Sequence, residues 1–506
     1  MLFVAETKRG EVLLKKCGRY VLVSCTKCFN YAHTMHFTPF FRSLSAAILL
    51  LSSAVGTHGQ VAHSLADSLP DAWTQADSYQ QTFPSDDHWW KSFGDALLDS
   101  LIAEGEQANF NLRQATRRIE MARQTLRSTR SGYYPTLGVS AGWNKTRSSG
   151  VTTANEAPAT TVDFFSATAD MNWEIDLFGK VRERSRQAGA QLNVSRADYA
   201  AMSVSICSEI ASTYIQLRTL QQQLAVTEAH VSEQEKVLKI AEARFEAMIA
   251  SMLDVSQART VYYSTKASLT SLRTSIACAI NSLAVLTGNF PEAMAARLSR
   301  PAPQPDFAGS IAAGVPVDLL RRRPDVAEAE FTVASYAAAL GIAKKDYLPT
   351  LSLKGEVGTQ AHRIGKLMTG PSFTYTIAPT LSWTIFDGFA RNAAVASAKA
   401  QMMEGIDAYN QTLLTAVQEV ENAMVTYTNA LLYENEINEV VVNARKAFDL
   451  SLDRYKQGLD PFINVADSQI TLLQYANELV AARGNTLSAA VAIYKALGGG
   501  WENTAL

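Results

Sequence analysis

Phe165–Lys180 reads FSATADMNWEIDLFGK, and Phe373–Gly388 reads FTYTIAPTLSWTIFDG. In the first stretch Phe165, Ala167, Ala169, Met171, Trp173, Ile175 and Leu177 alternate with Ser166, Thr168, Asp170, Asn172 and Glu174. Period two puts the apolar set on one face of a strand. In the second, Phe373, Tyr375, Ile377, Pro379, Leu381, Trp383 and Ile385 keep the same register. A shorter alternation precedes each: Leu137, Val139, Ala141, Trp143, and then Leu351, Leu353. Alternation over about 8–13 residues with aromatics near the ends is the signature of membrane-barrel strands, although soluble sandwich strands alternate similarly.

The two stretches belong to an internal duplication. Tyr134-Pro135-Thr136-Leu137 recurs as Leu348-Pro349-Thr350-Leu351, Arg244-Phe245 as Arg454-Tyr455, and Leu286-Thr287-Gly288 as Leu497-Gly498-Gly499. The offset stays near 210. A period this long marks a doubled architecture. The halves, 95–288 and 318–499, flank a linker (289–317) that holds Pro301, Pro303 and Pro305.

After each strand region the period becomes seven. Ile210, Leu217, Leu224, Val231, Leu238 and Phe245 form one series, which maps onto Val420, Tyr427, Glu434, Val441, Phe448 and Tyr455. Val255, Tyr262, Leu269, Ile276 and Leu283 form another, mapping onto Val465, Leu472, Leu479, Thr486 and Ile493. Sustained heptads predict helices packed as coiled coils. With no proline between Pro158 and Pro291, residues 181–247 read as one rod of about 100 Å. No compact globule needs such a rod.

The chain starts with an address. From Met35 it runs MHFTPFFRSLSAAILLLSSAVGTHG, with one Arg, an apolar stretch from Leu44 to Val55, and small residues suited to cleavage after Gly56. This is a secretory leader. Residues 1–34 read as an upstream extension or a mis-called start; Leu22-Val23-Ser24-Cys25 is a poor lipoprotein box beside that leader. Beyond the leader no unbroken apolar run reaches about 18 residues, so no transmembrane helix is expected. A net charge of −2 and a pI near 6.4 exclude the footprint of a nucleic-acid binder. Beyond residue 63 only His88, His230 and His362 remain, far apart, so neither a metal centre nor a cofactor nor a catalytic constellation is expected. The protein is read as no enzyme. Cys207 and Cys278 fall about 20 Å apart along one hairpin, too far to bridge, and read as small buried residues.

Four strands cannot close a barrel, and open edges do not survive in lipid. Three chains would supply twelve strands. Here the residues resemble a family: the trimeric outer-membrane channel subunits, or outer membrane factors, of Gram-negative tripartite efflux pumps. The resemblance rests on Trp89-Trp90, Asn111–Ala115, Tyr134-Pro135, Trp173–Lys180, Leu319–Glu330, Trp383–Gly388 and Tyr494–Trp501. It implies an α+β membrane protein: a trimeric 12-stranded outer-membrane β-barrel, four strands per protomer, continuous with a long periplasmic α-helical coiled-coil tunnel. It further implies a mixed equatorial girdle, outer-membrane lipid around the barrel, a periplasmic membrane-fusion adaptor, and an inner-membrane transporter of the resistance–nodulation–division class. A type I protein-secretion conduit of similar build, and less readily a secreted coiled-coil structural protein, are the alternatives.

On this reading 35–56 is the signal peptide, 57–94 an N-terminal periplasmic segment, and 500–506 a tail. Barrel strands fall at about 136–177 and 350–386, and tunnel helices at about 95–134, 181–287, 318–347 and 389–498. Trp143, Trp173 and Trp383 are expected to anchor at the membrane interface. Pro324 and Asp325 suit a helix start, and Asp460-Pro461 the cap and first position of another. The resemblance turns both hairpin tips, Arg244 and Met248 in one half and Arg454, Gly458 and Leu459 in the other, toward the adaptor. Met248 stands where the other tip has Gly458, so the first tip is expected to turn differently. The resemblance also places a constriction just beyond the second tip. There Ile463 and Asp467, four residues apart, share a helix face and would form an apolar ring and a cation-attracting ring on a three-fold axis. Leu253 and Gln257 hold the equivalent positions in the first half.

Overall fold

The computed structural model describes residues 4–6, 12–16, 19–22, 73–74, 88–149, 158–307 and 322–499. The leader at 35–56, its cleavage site, Cys25, Leu319–Arg321 and the tail at 500–506 lie outside the described residues. The chain divides into two units, 1–62 and 63–506. In the first, β1 (Val4–Glu6), β2 (Val12–Lys16) and β3 (Arg19–Leu22) form an antiparallel meander.

The second unit is two copies of one design. In the first copy, helices α1 (Ala96–Ala108) and α2 (Phe110–Arg130) lead into strands β4 (Thr136–Arg147) and β5 (Thr161–Ile175). A 67-residue helix α3 (Lys180–Glu246) and the shorter α4 (Met252–Leu286) then form a hairpin. A short α5 (Pro291–Leu298) opens the linker. In the second copy α6 (Pro324–Lys345) leads into β6 (Thr350–Ala361) and β7 (Phe373–Ser382), then α7 (Ala390–Lys456) and α8 (Phe462–Ala496). The hairpin helices α3 and α7 are both 67 residues, α4 and α8 both 35, and every terminus is shifted by 210. At 1.5 Å per residue the long helices run about 100 Å.

The strands join in the order β4-β5-β6-β7, antiparallel throughout. Register aligns the two faces across all four. Leu137 lies opposite Met171, Met171 opposite Gly355 and Gly355 opposite Ile377; the next row is Val139, Ala169, Val357 and Tyr375. The opposite face carries Ser140, Thr168, Asp170, Glu356 and Thr376, with Asp170 directly across from Glu356. One face is thus mainly apolar, with Thr359 the exception in the rows from Leu137 to Trp143, and the other mainly polar, with Val162 and Phe164 near its far end. Val139 is 88% exposed on the apolar face, a surface that suits hydrocarbon rather than water. Both outer strands, β4 and β7, have an open edge. β7 stops at Ser382, so Trp383 and Ile385 continue the alternation only as sequence.

Each half repeats one joint between sheet and helices. The Trp173 indole N–H donates to the Tyr133 carbonyl at 3.1 Å, and that of Trp383 to the Tyr347 carbonyl at 2.9 Å. Both acceptors lie two residues before the proline that starts the strand. Asp176 then accepts from the Val181 and Arg182 amides, and Asp387 from the Arg391 amide and guanidinium, which caps α3 and α7.

Three apolar clusters hold the helices; the slightest is Val326, Leu413 and Ala416 between α6 and α7, and the other two are extensive. The larger joins α1, α2, upper α3, the end of α4 and α8 around Leu101, Ile210, Tyr214, Leu283 and Ile493. The smaller sits near the hairpin tips, around Val237, Val255, Phe448, Phe462 and Leu472. Between Leu217 and Val237 the heptad reading fails: Leu224 and Val231 are half-buried, while the buried positions of α3 are Arg218, Gln221, Thr227, His230 and Gln234. Phe245, the last of that series, is exposed. Cys207 is buried but Cys278, on an outward face of α4, is exposed; both are free. By mean hydropathy, 1.4 and 1.2, α4 and α6 are apolar enough to cross a membrane, which the count of unbroken runs did not register. Both pack lengthwise against α3.

Candidate functional site

The two hairpin tips lie side by side, because α3 and α7 end together on the smaller core. Each tip reverses the chain through one left-handed residue. At the second it is Gly458, φ +73°, with the Leu459 amide bonded to the Arg454 carbonyl at 2.9 Å. At the first it is Met248, φ +57°, with the Ile249 amide bonded to the Arg244 carbonyl at 2.9 Å. The expected difference in turn geometry is absent. Met248 takes the glycine conformation, at a cost of about 1–2 kcal/mol for an L-residue. Its side chain is 92% exposed and gains no packing in return. Met248→Gly should therefore stabilise the first tip by about 0.5–1 kcal/mol, after the greater freedom of unfolded glycine is subtracted. Amide exchange at Ile249 and Ala250 should slow a few-fold; faster exchange would contradict the strain.

The equivalent arginines do different work, for a reason visible in the sequence. Arg454 binds Asp460 in its own tip through two contacts, at 2.6 and 3.1 Å. That bond holds the Asp460 carboxyl below its ordinary value. Asp460 is therefore no helix cap; Pro461 occupies that position and α8 starts at Phe462. In the first half the matching position is Ala250, so Arg244 has no local acid. It crosses to the other hairpin, donating to the Lys456 carbonyl at 2.7 Å and lying 4.9 Å over the Tyr455 ring. The Tyr455 hydroxyl in turn donates to Asp254 at 3.3 Å. Burial, and then Asp254, push the Tyr455 hydroxyl above its ordinary value, so it stays a donor. Arg244, Tyr455 and Asp254 thus clasp the two hairpins together. Tyr455 and Asp254 were missed by the sequence reading; their only signal was the missing acid at Ala250.

Beyond the second tip, Phe462, Val465, Ala466 and Gln469 turn into the bundle, leaving Ile463 and Asp467 exposed on one face of α8. Ile470, also exposed, extends that stripe by one more turn. Leu253 and Gln257 occupy the corresponding face of α4, so the acid belongs to one hairpin only. At the opposite end of the molecule Trp143, exposed on the apolar sheet face, lies 6.5 Å from Phe165. Trp173 and Trp383 mark the helix-side margin of the same sheet. Among the described residues no cluster of His, Cys, Asp and Glu could hold a metal ion.

At the helix-side start of the second half, Pro324 occupies the first turn of α6, and Arg323 before it is buried. Its guanidinium binds Asp325, Glu419 and the Ala496 carbonyl, tying α6, α7 and α8 together. Burial opposes that charge, but the two carboxylates outweigh burial and raise its proton affinity.

A family profile described as outer membrane efflux protein matches residues 101–289 and 315–499, the two copies seen in the fold. Outer membrane protein OprJ of Pseudomonas aeruginosa is 28% identical over 462 residues, which cover 91% of this chain and 96% of OprJ. The solvent efflux pump outer membrane protein SrpC of Pseudomonas putida is 30% identical over 434 residues, covering 81% of this chain and 87% of SrpC. Among solved structures, the outer-membrane channel OprN superposes with a TM-score of 0.80 at 27% identity, covering 85% of this chain and 97% of OprN. The outer membrane protein VceC from Vibrio cholerae gives 0.76 at 26% identity, covering 82% and 100%.

Proposed function

The chain belongs to the outer membrane efflux protein family, and from that premise we propose how its parts divide the work of a tripartite pump. It is an outer-membrane efflux channel, a conduit and not an enzyme, which reaches from the outer membrane into the periplasm. Three copies close their four-stranded sheets into one twelve-stranded barrel, since an unpaired edge in hydrocarbon costs several kcal/mol per open group, to an order of magnitude. Drugs, solvents or other small molecules enter from a periplasmic adaptor and an inner-membrane transporter of the resistance–nodulation–division class. The solvent pump named for SrpC supports that substrate class.

Within that assembly the tips around Arg244, Met248, Arg454, Gly458 and Leu459 receive the adaptor. Exposed Met248 and Leu459 give it apolar contact while the clasp keeps the two tips in register. Trp143, Trp173 and Trp383 border the apolar band. Ile463 and Asp467 close the inner end. Three Ile463 side chains exclude water there, and three Asp467 carboxylates hold cations. The observation that carries the gate is the exposure of both residues on one face of α8, while Phe462, Val465 and Ala466 beside them are buried.

Asp467→Ala should widen the resting pore and abolish its block by multivalent cations in planar bilayers. Unchanged conductance together with unchanged block would remove Asp467 from the gate. For the pump role, deleting the gene should raise susceptibility to several unrelated hydrophobic drugs, and restoring it should reverse this. A deletion that spares drug tolerance while stopping export of a secreted protein would favour the type I conduit.

A further inference from the structure

Between the two apolar cores the helical bundle changes chemistry. Above, the linker clamps it. Gln304 donates to Thr219 of α3 at 2.8 Å and to the Val480 carbonyl of α8 at 3.0 Å. Gln221 donates to the Leu298 carbonyl at 2.8 Å, and Arg218 to the Arg300 carbonyl at 3.3 Å. Below, Val237, Leu238 and Ala241 join the tip core. The intervening stretch of α3, from Gln221 to Val237, spans about 24 Å. It is held to α8 by a polar contact, Asn477 to Thr227 at 3.3 Å, and by the Gln223 bond to the Asn477 carbonyl at 3.3 Å. Next come three buried polar side chains with polar atoms left unbonded. His230 is 3% exposed, Gln234 2% and Gln469 2%. The atoms without a hydrogen bond are Nδ1 of His230, which lies 3.5 Å from Oε2 of Glu233, both amide atoms of Gln234, and Nε2 of Gln469.

A buried polar atom without a hydrogen bond is costly, and water reaching it recovers that cost. The seam is therefore weakest between a clamped upper body and a cohesive tip. We propose that Gln221–Val237 of α3, with the facing turns of α8, is a hinge on which the tip bundle swings away from the clamped girdle, loosened when His230 takes up a proton. The proposal rests on the channel reading, in which the tips move to open, but not on the gate assignment.

The groups around the ring set the direction. On its own helix Glu233 lies 3.5 Å away. From α7, Arg445 binds that carboxylate at 3.0 and 3.1 Å. Arg273 of α4 is engaged by Glu228 at 3.1 Å, and Glu478 of α8 by Tyr433 at 2.9 Å. Burial lowers the proton affinity of His230 below its ordinary 6.5, with Glu233 opposing and Arg445 assisting. The packed seam thus holds a neutral ring, and a parted, hydrated seam restores the ordinary value. Packing is fully favoured above about pH 6.5 and loses ground as pH falls through that value toward the lowered one. Acid in the periplasm would loosen the hinge.

Amide exchange of the intact trimer in lipid discs tests this, at about pH 7.5 and about pH 5.5, with intrinsic rates divided out. Amides of 221–237 should exchange roughly tenfold faster than those of 206–217 above and 238–241 below, and faster again in acid. In His230→Gln, which keeps polarity but cannot be charged, the acid response should vanish while the trimer persists. Filling the layer with Gln234→Leu and Gln469→Leu together should slow exchange at neutral pH. Uniform protection from 206 to 241, or an undiminished acid response in His230→Gln, would overturn the proposal. Asp467→Ala should leave the response intact whatever it does to the gate. Loss of the response there, with His230 present, would assign it to Asp467 and also overturn the hinge.

Discussion

Val139→Arg is expected to stop the protein from assembling in the membrane, whereas Ser140→Arg, one residue further on, is expected to assemble. Val139 lies near the middle of the apolar rows, between Leu137 and Ala141 and opposite Ala169. Arginine facing lipid at the midplane costs about 2–4 kcal/mol per copy, and a trimer carries three copies. The sum, about 6–12 kcal/mol, is comparable with the whole stability of a typical domain. Ser140 points the other way, its hydroxyl bonded to that of Thr168 at 2.8 Å on the polar face. An arginine there projects into the lumen, where it alters conductance and ion preference. The measurement is recovery of SDS-sensitive trimer from the outer-membrane fraction. Equal recovery of the two variants would contradict the assignment of faces.

Gly288→Ala should destabilise the trimer by about 2–4 kcal/mol, a drop of several degrees in thermal midpoint. Two costs combine at this residue. Its φ of +71° is left-handed, and an added methyl would sit 2.6 Å from the backbone carbonyl oxygen of Ala108. That carbonyl ends α1, and the neighbouring Asn109 side chain binds the Leu286 carbonyl at 2.7 Å, so little room exists to retreat. Gly94→Ala is the informative comparison. It is also left-handed, φ +61°, but an added methyl meets nothing, so only the conformational part of the cost remains. A similar loss in both would show that the contact with Ala108 contributes little.

The sequence made the duplication, the alternating strands and the long helices legible, because each is a repeating pattern that many residues state together. The period-two run from Phe165 to Ile175 lies in β5, and Ile210, Leu217 and Leu238 lie buried in α3. What escaped was set by single neighbours across space. Leu224 and Val231 keep the heptad, yet the seam there is filled by Thr227, His230 and Gln234; helices pinned by the linker above and the tip core below present a different face between them. The tip of the first half was expected to turn differently because methionine disfavours a positive φ, but the helix ends on either side hold it there. The clasp was hidden for a similar reason. Arg244 and Arg454 look equivalent until the acid at Asp460 and its replacement by Ala250 are set beside them. Ile463 and Asp467 could be placed on one face by spacing alone; Ile470, on the same stripe, could have been read the same way.

Closure by three chains underlies every other function of the channel, because the two open edges of the four-stranded sheet make a lone subunit untenable in lipid. Native mass spectrometry of the protein extracted in mild detergent, paired with single-channel recording of the same sample, measures it directly. A mass of three mature chains, carrying one conducting pore per particle, is the predicted result. A single-chain mass with the β-sheet signal and conductance both intact would contradict it.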